Sequence, residues 1–548
     1  MTLSSKLLAY RKADAIGDGD IAAVSMLVAL SCKTTTTEPS VIAYVAMCLA
    51  LRTSRDGHTC VDLDRIGEWS GTIDQTAGQL DWPLAADDWI RELVQLTSLV
   101  GVPGERKPFI LDGHRLYLCR SLAEEQLIAE VLSRNNAQHV SVLLGGPGTG
   151  KTTEVARLMI SRIEQSVTPL RIALAAPTGK AATRMTEVLQ VRCATENASA
   201  KVLAAVAAAP ARTIHKLLGY TPYRTPRFLY GVNNPLPYDL IVIDEASMLS
   251  SSHMHQLLSS LAPTAEILLV GDPDQLASVE SGSVLADIAA SARVSQSLLS
   301  LRTRELKTQY RFDANSGIAA LATAVRAGDT RAAMAVLNEN TTDIRWIDPS
   351  NEKNLASLTN EIVANAQHLC EEAHGDPLVA LATQRRFQVL CAHRMGAMGV
   401  AGWNNCIETR LGTRAGSVWY AGRPIMITRN NTALELSNGD VGVVMSPTGG
   451  RRIEVVFGQG ASIIRVPTTR LEDVATVHAL TIHKSQGSEY SHAVVILPDR
   501  QSPILTRELL YTGITRAINQ LTLVGSQHVI ASAIARPIRR ASGLASRL

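Results

Sequence analysis

The stretch HVSVLLGGPGTGKTTEVARLMI, residues 139–160, decides the fold of this chain. Its apolar run VSVLL predicts a buried strand, its glycines predict a tight loop, and TTEVARLMI has the spacing of an amphipathic helix. The loop GGPGTGKT, Gly145 to Thr152, matches the pattern G-x-x-x-x-G-K-[ST] in the strand–loop–helix context that this pattern requires. The stretch therefore predicts a phosphate-binding loop at the carboxyl end of a strand in an α/β domain.

The glycine-rich loop has the composition that triphosphate binding needs. Backbone N–H groups close around phosphate oxygens where no Cβ intervenes, and the N-terminus of the following helix adds positive potential. Lys151 would reach the β and γ phosphates of a nucleoside triphosphate, and Thr152 would hold Mg²⁺. We expect the nucleotide to be bound by Gly145, Gly146, Pro147, Gly148, Thr149, Gly150, Lys151, Thr152 and Thr153.

Short apolar runs alternate with helix-like segments in two further series. RIALAAP, DLIVIDE and EILLVGD follow the loop, and FQVLCAH, HAVVILP and QLTLVG come after residue 335. Such alternation indicates parallel sheets that are covered by helices on both faces. We therefore predict an α/β fold with one domain at 116–334 and a second at 335–548.

The residues before this pattern look different. Residues 1–115 carry helical patterns, and Trp69, Trp82 and Trp89 fall among them. These features predict a small N-terminal helical domain with an aromatic core. A domain that docks on another protein is the alternative reading.

An insertion interrupts the second α/β domain. Between 412 and 471 the apolar residues recur with a period of two, and Asn438-Gly439 and Gly449-Gly450 mark turns between them. This pattern predicts a small antiparallel β-barrel.

The composition is that of an ordinary globular protein. Hydrophobic residues make up 46% and charged residues 19%, and Lys plus Arg exceed Asp plus Glu by only 53 − 50 = 3. A polyanionic partner would therefore have to be recognised by local basic groups. Eight widely spaced cysteines without a CxxC pair argue against a zinc site and suit a reducing compartment. Without a signal-peptide pattern or a bilayer-length apolar run, we expect a cytoplasmic protein with no membrane partner.

Charged and polar residues outside the loop complete a hydrolytic site. Asp244 and Glu245 follow the apolar run DLIVI, where Asp244 would bind Mg²⁺ and Glu245 would activate the attacking water. Gln275 follows EILLVG and can sense the γ-phosphate. Arg311 and Arg516 come from separate elements and suit stabilisation of charge on the transferring phosphoryl group. These residues predict hydrolysis of a nucleoside triphosphate.

Eight stretches, in order, resemble motifs of superfamily 1 helicases, and closely those of the RecD family: GGPGTGKTT, LAAPTGKAATR, TIHKLLG, IDEASM, GDPDQLASVESG, QYRF, ALTIHKSQGSEY and LYTGITRA. The resemblance covers roughly residues 138–548 and extends more loosely to the N-terminal region. It implies two RecA-like motor domains with an SH3-like barrel insertion. It also implies ATP-driven 5′-to-3′ movement on single-stranded DNA, action at duplex ends in break repair, and RecB-like and RecC-like partner subunits. We find no nuclease signature, so the nuclease of such a complex would reside in a partner.

The resemblance further implies which residues grip DNA. They are Thr178, Lys180, Arg184, Thr213, His215 and Lys216, followed by His483, Lys484, Ser485, Gln486 and Ser488. Such phosphate-type donors give affinity without reading base sequence. Gln486, together with Gly487 and Glu489, also suits a hinge between strand and helix.

Two smaller expectations concern aromatic and amide side chains. Segment 221–237 resembles the small hairpin that separates strands, where Tyr223, Phe228 and Tyr230 would either stack on bases or pack the hairpin. Relatives place an adenine-contacting Gln on a helix shortly before the phosphate loop. The nearest candidate here is Gln126, 19 residues before Gly145.

Two alternatives to a complex-bound motor stay open. One is a freestanding RecD-like DNA helicase, whose relatives usually carry a longer N-terminal extension. The other is a subunit that uses ATP only as a conformational switch without motor activity. The presence of Lys151, Asp244, Glu245, Arg311 and Arg516 argues against a pure switch.

Overall fold

The computed structural model describes residues 5–31, 38–66, 85–133, 140–221, 223, 225, 227–294, 298–311, 316–339, 341–413, 419–446, 453–459 and 462–548. Trp69, Trp82 and the predicted Gly449-Gly450 turn lie outside these residues. Within the described ranges, no helix combines the length and the apolar character needed to cross a membrane.

The N-terminal part combines helices with a small sheet. Its elements are α1 (Ser5–Lys12), α2 (Asp18–Ser31), α3 (Val41–Arg52), β1 (Cys60–Asp62), α4 (Ala86–Leu93), β2 (Val100–Gly101), β3 (Phe109–Asp112) and β4 (Arg115–Leu118). The strand order is β1-β4-β3-β2, and a turn at Gly113, with φ of 57°, joins the antiparallel strands β3 and β4. Trp89 is fully buried in the shared core. The expected helical domain thus also holds a sheet, whose strands are too short to produce a clear period-two pattern.

The first lobe carries the phosphate-binding loop. Its strands are β5 (Val140–Gly145), β6 (Ile172–Ala176), β7 (Ala211–Thr213), β8 (Leu240–Ile243), β9 (Glu266–Gly271) and β10 (Thr303–Leu306). Its helices are α5 (Cys119–Ser133), α6 (Lys151–Gln165), α7 (Gly179–Thr195), α8 (Ala200–Ala208), α9 (Ile214–Leu217), α10 (Ser251–Ser259), α11 (Val284–Val294) and α12 (Leu298–Arg302).

The six strands of the first lobe form a parallel sheet in the order β10-β5-β9-β8-β6-β7. Successive residues of a strand enter opposite cores. In β9, Ile267 and Leu269 pack on one face of the sheet, and Leu268 and Val270 pack on the other. Helices therefore cover both faces, which explains why the strands read as continuous apolar runs.

The chain enters the second lobe through α13 (Gly317–Ala327) and α14 (Thr330–Asn338), and continues with β11 (Ile344–Ile347), α15 (Glu352–Glu372), α16 (Pro377–Arg386), β12 (Phe387–Cys391) and α17 (Val400–Arg410). Ile318 and Leu337 of the first two helices are buried in the same core as Leu521 and Leu523 of this lobe's sheet. The predicted boundary at residue 334 is therefore corrected to a point before Gly317. The boundary was misplaced because the sequence of a helix does not show which of two sheets the helix covers.

An antiparallel sheet follows: β13 (Pro424–Ile427), β14 (Val441–Met445), β15 (Glu454–Gln459), β16 (Ser462–Pro467) and β17 (Val474–Thr476). The strand order is β16-β15-β14-β13-β17. The Asn438-Gly439 turn precedes β14, with Gly439 at φ of 95°. The last strand lies beyond the predicted limit at Leu471, and closure of this sheet into a barrel stays a prediction.

The chain then completes the second lobe with β18 (Ala479–Thr481), β19 (Tyr490–Ile496), α18 (Arg507–Ile514), β20 (Ala517–Val524) and α19 (Gln527–Ala535). The parallel sheet of this lobe has the order β11-β20-β19-β12-β18. Because β12 and β18 are neighbours, the residues that follow them meet at one edge of the sheet.

The C-terminal tail returns to the first lobe and ends in α20 (Leu544–Arg547). Leu544 is buried in the first-lobe core. The fully buried Glu125 accepts hydrogen bonds from Thr59 (2.5 Å), Tyr117 (3.1 Å) and Ser542 (3.0 Å). The last residues of the predicted 335–548 domain thus belong with the first lobe and the N-terminal part.

Candidate nucleotide site and nucleic-acid interface

The loop between β5 and α6 has the backbone that a phosphate cradle requires. Gly148 and Gly150 adopt φ of 77° and 82°, a region that residues with a Cβ rarely enter. The Lys151 ammonium donates hydrogen bonds to the carbonyl oxygens of Gly145 (2.6 Å) and Gly146 (2.9 Å). The lysine is therefore held against the loop, where phosphate oxygens can replace the two carbonyls.

A cavity of about 860 Å³ opens beside this loop, a size suited to a small-molecule ligand. The side chains expected to act in hydrolysis line it together: Lys151, Asp244, Glu245, Gln275, Arg311 and Arg516. The loop residues Pro147, Gly148, Thr149, Gly150, Thr152 and Thr153 line the same cavity. Residues from both lobes therefore converge on one space.

An acidic pair closes the cavity at the end of β8. Burial and the neighbouring Glu245 carboxylate raise the pKa of Asp244. Glu245 has φ of 52°, a strained value for a residue with a Cβ, and such strain concentrates at functional sites. The hydroxyl of Thr152 and the carboxylate of Asp244 supply the oxygen ligands that Mg²⁺ prefers, so this set fits the ion.

Glu489 bridges two arginines at the cavity wall. One carboxylate oxygen lies 2.5 Å from Nη2 of Arg311, and the other pairs with Arg184. Burial alone would raise the pKa of Glu489, but Arg184 and Arg311 lower it to about 2. Nη1 of Arg311 is buried without a hydrogen-bond partner among the described residues. This N–H is free to bind a phosphate oxygen.

The position of Arg184 corrects the expectation that it grips DNA. Its side chain lines the nucleotide cavity, and Nη1 donates to the carbonyl oxygen of Gly487 at 3.2 Å. Glu489, expected at a hinge, is its partner. Motif resemblance placed both residues correctly in the chain but could not show that they meet, because 305 positions separate them.

Arg516 is buried between the lobes and contacts the loop after β9. Nη2 donates to Oε1 of Gln275 at 3.1 Å, and Nη1 donates to the Ser488 carbonyl at 3.1 Å. Gln275 and the Tyr511 hydroxyl both donate to Oδ2 of Asp272, each at 3.1 Å. The sequence did not single out Tyr511, although it stands five positions before Arg516 in the same motif. The loop after β9 thus contacts both the cavity and the second lobe.

Most of the segment TIHKSQGSEY, residues 481–490, lies inside the interface between the lobes. Ser485, Gln486 and Ser488 are buried. The Ser485 hydroxyl completes a local turn, and the Gln486 side chain donates to the Leu276 carbonyl of the first lobe at 3.1 Å. The three are therefore corrected from DNA contacts to buried residues, because at most 9% of the surface of each is accessible.

His483 is half-buried and Lys484 is exposed, so these two keep surface for a ligand. Burial and nearby Arg394 lower the pKa of Lys484. Arg394 follows β12 and is exposed at the same sheet edge, and sequence reasoning missed it. The signal available was its position just after a predicted strand.

The candidates on the first lobe fall at two helix N-termini. The Thr178 hydroxyl caps α7, and the Thr213 hydroxyl caps α9 by accepting from the Lys216 amide at 3.3 Å. His215 and Lys216 are exposed. These positions leave the two exposed side chains available to a phosphate backbone.

Lys180 lies near the antiparallel sheet. Burial, followed by the charges of Arg385 and Arg184, lowers the pKa of Lys180 to about 8. Asp440, at the turn before β14, faces the same region: burial raises its pKa, and Lys180 and Lys216 oppose that rise. The first-lobe candidates therefore lie close to the inserted sheet.

Gln126 is exposed on α5 and is not part of the cavity lining. The structure therefore removes the basis for its expected adenine contact. Tyr310 is better placed, since it lines the cavity, is 76% exposed, and hydrogen-bonds through its amide to the Gly148 carbonyl at 2.8 Å. An aromatic face can stack on a base. The signal in the sequence was its place directly before Arg311.

The aromatic residues of segment 221–237 divide into two kinds. Phe228 and Tyr230 are half-buried and pack against the first-lobe core. Tyr223 is 92% exposed. Base stacking in this segment stays a prediction, and among these three rings Tyr223 is the one available for it.

A phosphate loop and an acidic pair on one parallel-sheet lobe, completed by an arginine from a second, define a two-lobed P-loop nucleotide hydrolase. Family models match three successive regions: the N-terminal domain of the RecBCD enzyme subunit RecD at 12–117, an AAA domain at 121–348, and a UvrD-like helicase C-terminal domain at 476–524.

Curated relatives extend these matches over the chain. The RecBCD enzyme subunit RecD of Mycolicibacterium smegmatis is 40% identical, over 93% of this chain and 94% of its own length. That of Mycobacterium tuberculosis is 38% identical, over 100% and 97%. The ATP-dependent RecD2 DNA helicase of Deinococcus radiodurans is 30% identical, over 76% of this chain and 51% of that protein. The chain belongs to the RecD family of RecBCD enzyme subunits.

Proposed function

We propose that this chain is an ATP-dependent DNA helicase that moves 5′ to 3′ on single-stranded DNA, as the motor subunit RecD of a RecBCD-type complex in double-strand-break repair. The observation that carries the proposal is the single cavity lined by Lys151, Glu245, Arg311 and Arg516. These groups come from two lobes that also carry the candidate DNA contacts.

The residues of the cavity would have different roles in ATP hydrolysis. Lys151 would leave its two loop carbonyls for the β and γ phosphates, and the free N–H of Arg311 would bind a γ-phosphate oxygen. Thr152 and Asp244 would hold Mg²⁺, which supplies charge neutralisation on the phosphates. Glu245 would orient a water and accept its proton as the water oxygen bonds the γ-phosphorus and the bond to ADP breaks.

The loop after β9 supplies the coupling to movement. Gln275 contacts Arg516, and the adjacent Leu276 accepts from Gln486 of the second lobe. Loss of the γ-phosphate would change the contact between Gln275 and Arg516, and the second lobe would shift as a result. Lys484 lies two positions before Gln486, so the same shift would alter the grip on DNA.

We propose DNA contacts through seven residues: Thr178, Lys180, Thr213, His215, Lys216, His483 and Lys484. We also propose that Tyr310 stacks on the adenine. The basic groups suit backbone phosphates, so binding should depend on salt and tolerate any base sequence. A subunit that works on chromosomal DNA would act in the cytoplasm.

The complex-bound assignment is preferred to a freestanding helicase. Identity reaches 40% and 38% with RecBCD subunits over nearly the whole chain, against 30% over 76% of the chain with the ATP-dependent RecD2 DNA helicase. The match to the RecD N-terminal domain model points the same way. The RecD2 relative makes the freestanding helicase the second candidate.

Strand displacement on tailed duplexes tests the proposal. The full chain without partners, supplied with ATP and Mg²⁺, is expected to open a duplex with a 5′ single-stranded tail and to leave a 3′-tailed duplex closed. Omitting partners matters because another motor in the complex would mask the polarity. Preference for the 3′ tail would contradict the polarity, and ATP hydrolysis without displacement of either duplex would contradict the motor.

A further inference from the structure

A row of hydrogen bonds on the first lobe links the loop after β9 to His215. Oε2 of Glu280 lies 2.8 Å from the Ser250 hydroxyl, and that hydroxyl lies 2.9 Å from Nδ1 of His253. Nε2 of His253 lies 3.2 Å from Nε2 of His215. Glu280 belongs to the same loop as Gln275, which lines the nucleotide cavity, so the row begins in that loop and ends at a proposed DNA contact.

The carboxylate at one end fixes where the protons lie. Ionised Glu280 can only accept, so the Ser250 hydroxyl donates to it. The Ser250 oxygen then accepts from His253, which places the proton of neutral His253 on Nδ1, also 3.3 Å from Glu280. Nε2 of His253 is therefore an acceptor, and His215 carries its proton on Nε2.

This tautomer leaves neutral His215 unable to bind a phosphate through its other nitrogen. Nδ1 then carries a lone pair, which repels a phosphate oxygen. Only the imidazolium form offers an N–H at Nδ1 while keeping the hydrogen bond to His253.

The surroundings of His215 disfavour its protonation in the absence of DNA. Burial and His253 lower the pKa of His215, and Glu280 opposes them more weakly. The rings of Tyr220 and Phe228, with centroids at 5.2 Å and 6.5 Å from that of His215, add no charge. A bound phosphate is the anion that would favour protonation.

We propose that His253 is a positioning residue for DNA binding, which fixes the tautomer of His215 so that His215 grips a backbone phosphate only after taking up a proton. The inference rests on the proposed function, because it needs DNA as the ligand. Binding then takes up a proton, so affinity rises as the pH falls toward the free pKa of His215.

Fluorescence anisotropy with a labelled oligothymidylate tests this on the full chain without nucleotide, at constant salt. We expect the wild-type Kd to fall by roughly threefold to tenfold between about pH 8 and about pH 6. In His253→Phe the ring packing is kept and the acceptor is lost, so neutral His215 can place its proton on Nδ1. We expect the Kd of this variant to depend less on pH than that of the wild type, and the remaining dependence to come from the other titratable DNA contacts, Lys180 and His483.

His255→Phe is the matched control, since His255 lies on the same helix outside the row and should keep the wild-type pH dependence. Glu280→Ala, at an exposed position, removes the acceptor of the Ser250 hydroxyl and is expected to reduce the pH dependence of the Kd as well. If His253→Phe does not fold, Glu280→Ala tests the inference in its place. A wild-type Kd independent of pH, or full pH dependence in the variants, would overturn the inference. Absence of DNA binding at every pH would instead contradict the proposed function.

Discussion

At the scale of single residues, Lys151 is the residue whose substitution is expected to reduce ATP hydrolysis most clearly. Its ammonium donates hydrogen bonds to two loop carbonyls and lines the cavity in which the phosphates would bind. Lys151→Ala should reduce DNA-stimulated ATP hydrolysis by about 100-fold or more and leave the circular dichroism spectrum unchanged. Lys201→Ala, an exposed lysine of the same lobe, is the control and should hydrolyse ATP normally. Retained turnover in Lys151→Ala would refute the site.

Arg516 should act in the transition state more than in ATP binding. Arg516→Ala is expected to lower kcat by about 100-fold while KM for ATP changes by less than about threefold, because the guanidinium stabilises charge that develops as the bond breaks. Steady-state kinetics at saturating DNA measures both constants. Since Arg516 also bonds the Ser488 carbonyl, a thermal melt must show that the variant is folded. Equal losses in kcat and in ATP affinity would contradict the assigned role.

Residue types and residue surroundings were predictable to different degrees. Lys151 and Asp244 stand in motifs whose strand–loop context fixes their position, and the structure brings both to the cavity. Ser485 and Gln486 stand in an equally clear motif, yet they are buried between the lobes. A motif specifies which groups are present, whereas burial depends on a surface that another part of the chain provides.

At the scale of elements, the loop after β9 and segment 481–490 form the junction of the lobes. Gln486→Ala removes the hydrogen bond to Leu276, which costs about 1 kcal/mol in the free energy of unfolding. We expect a larger effect on coupling: the factor by which single-stranded DNA stimulates ATP hydrolysis should fall by about tenfold. Gln501→Ala, on the surface of the second lobe, is the matched control. Unchanged stimulation in Gln486→Ala would exclude this contact from coupling.

The elements themselves were predictable where their apolar runs were long. β5, β8 and β9 follow directly from their buried runs. The N-terminal sheet was not predictable, because a strand such as β2 has two residues and shows no period. The predicted boundary at residue 334 placed α13 in the wrong lobe and cut through α14, since amphipathic spacing shows that a helix face is buried without showing which sheet buries it.

At the scale of the whole molecule, docking of the N-terminal part on another subunit stays a prediction, and helix α2 is the surface on which we expect it. α2 is apolar on its outer side as well as its buried side. Five of its exposed residues are apolar: Ala22, Ala23, Met26, Ala29 and Leu30. Met26 and Leu30 are 66% and 53% exposed. Such a face is unusual on a surface helix, and we expect it to be an interaction site.

We expect the double variant Met26→Glu, Leu30→Glu to lose co-elution with RecB-like and RecC-like chains in size-exclusion chromatography, because charge on both side chains makes burial of this face unfavourable. ATP hydrolysis by the chain alone should persist, since the cavity lies in the lobes. Val167→Glu, at a fully exposed site of the first lobe, is the control and should co-elute. Intact co-elution of the double variant would exclude α2 as the docking surface.

We expect two lobes of one chain to close over one ATP. Mixing Lys151→Ala and Arg516→Ala chains over a range of ratios, with single-stranded DNA and ATP, measures this most directly. If each site takes its lysine and its arginine from the same chain, no ratio restores hydrolysis above the sum of the two variants. Restored hydrolysis in the mixture would mean that Arg516 serves a neighbouring chain, and would contradict the account.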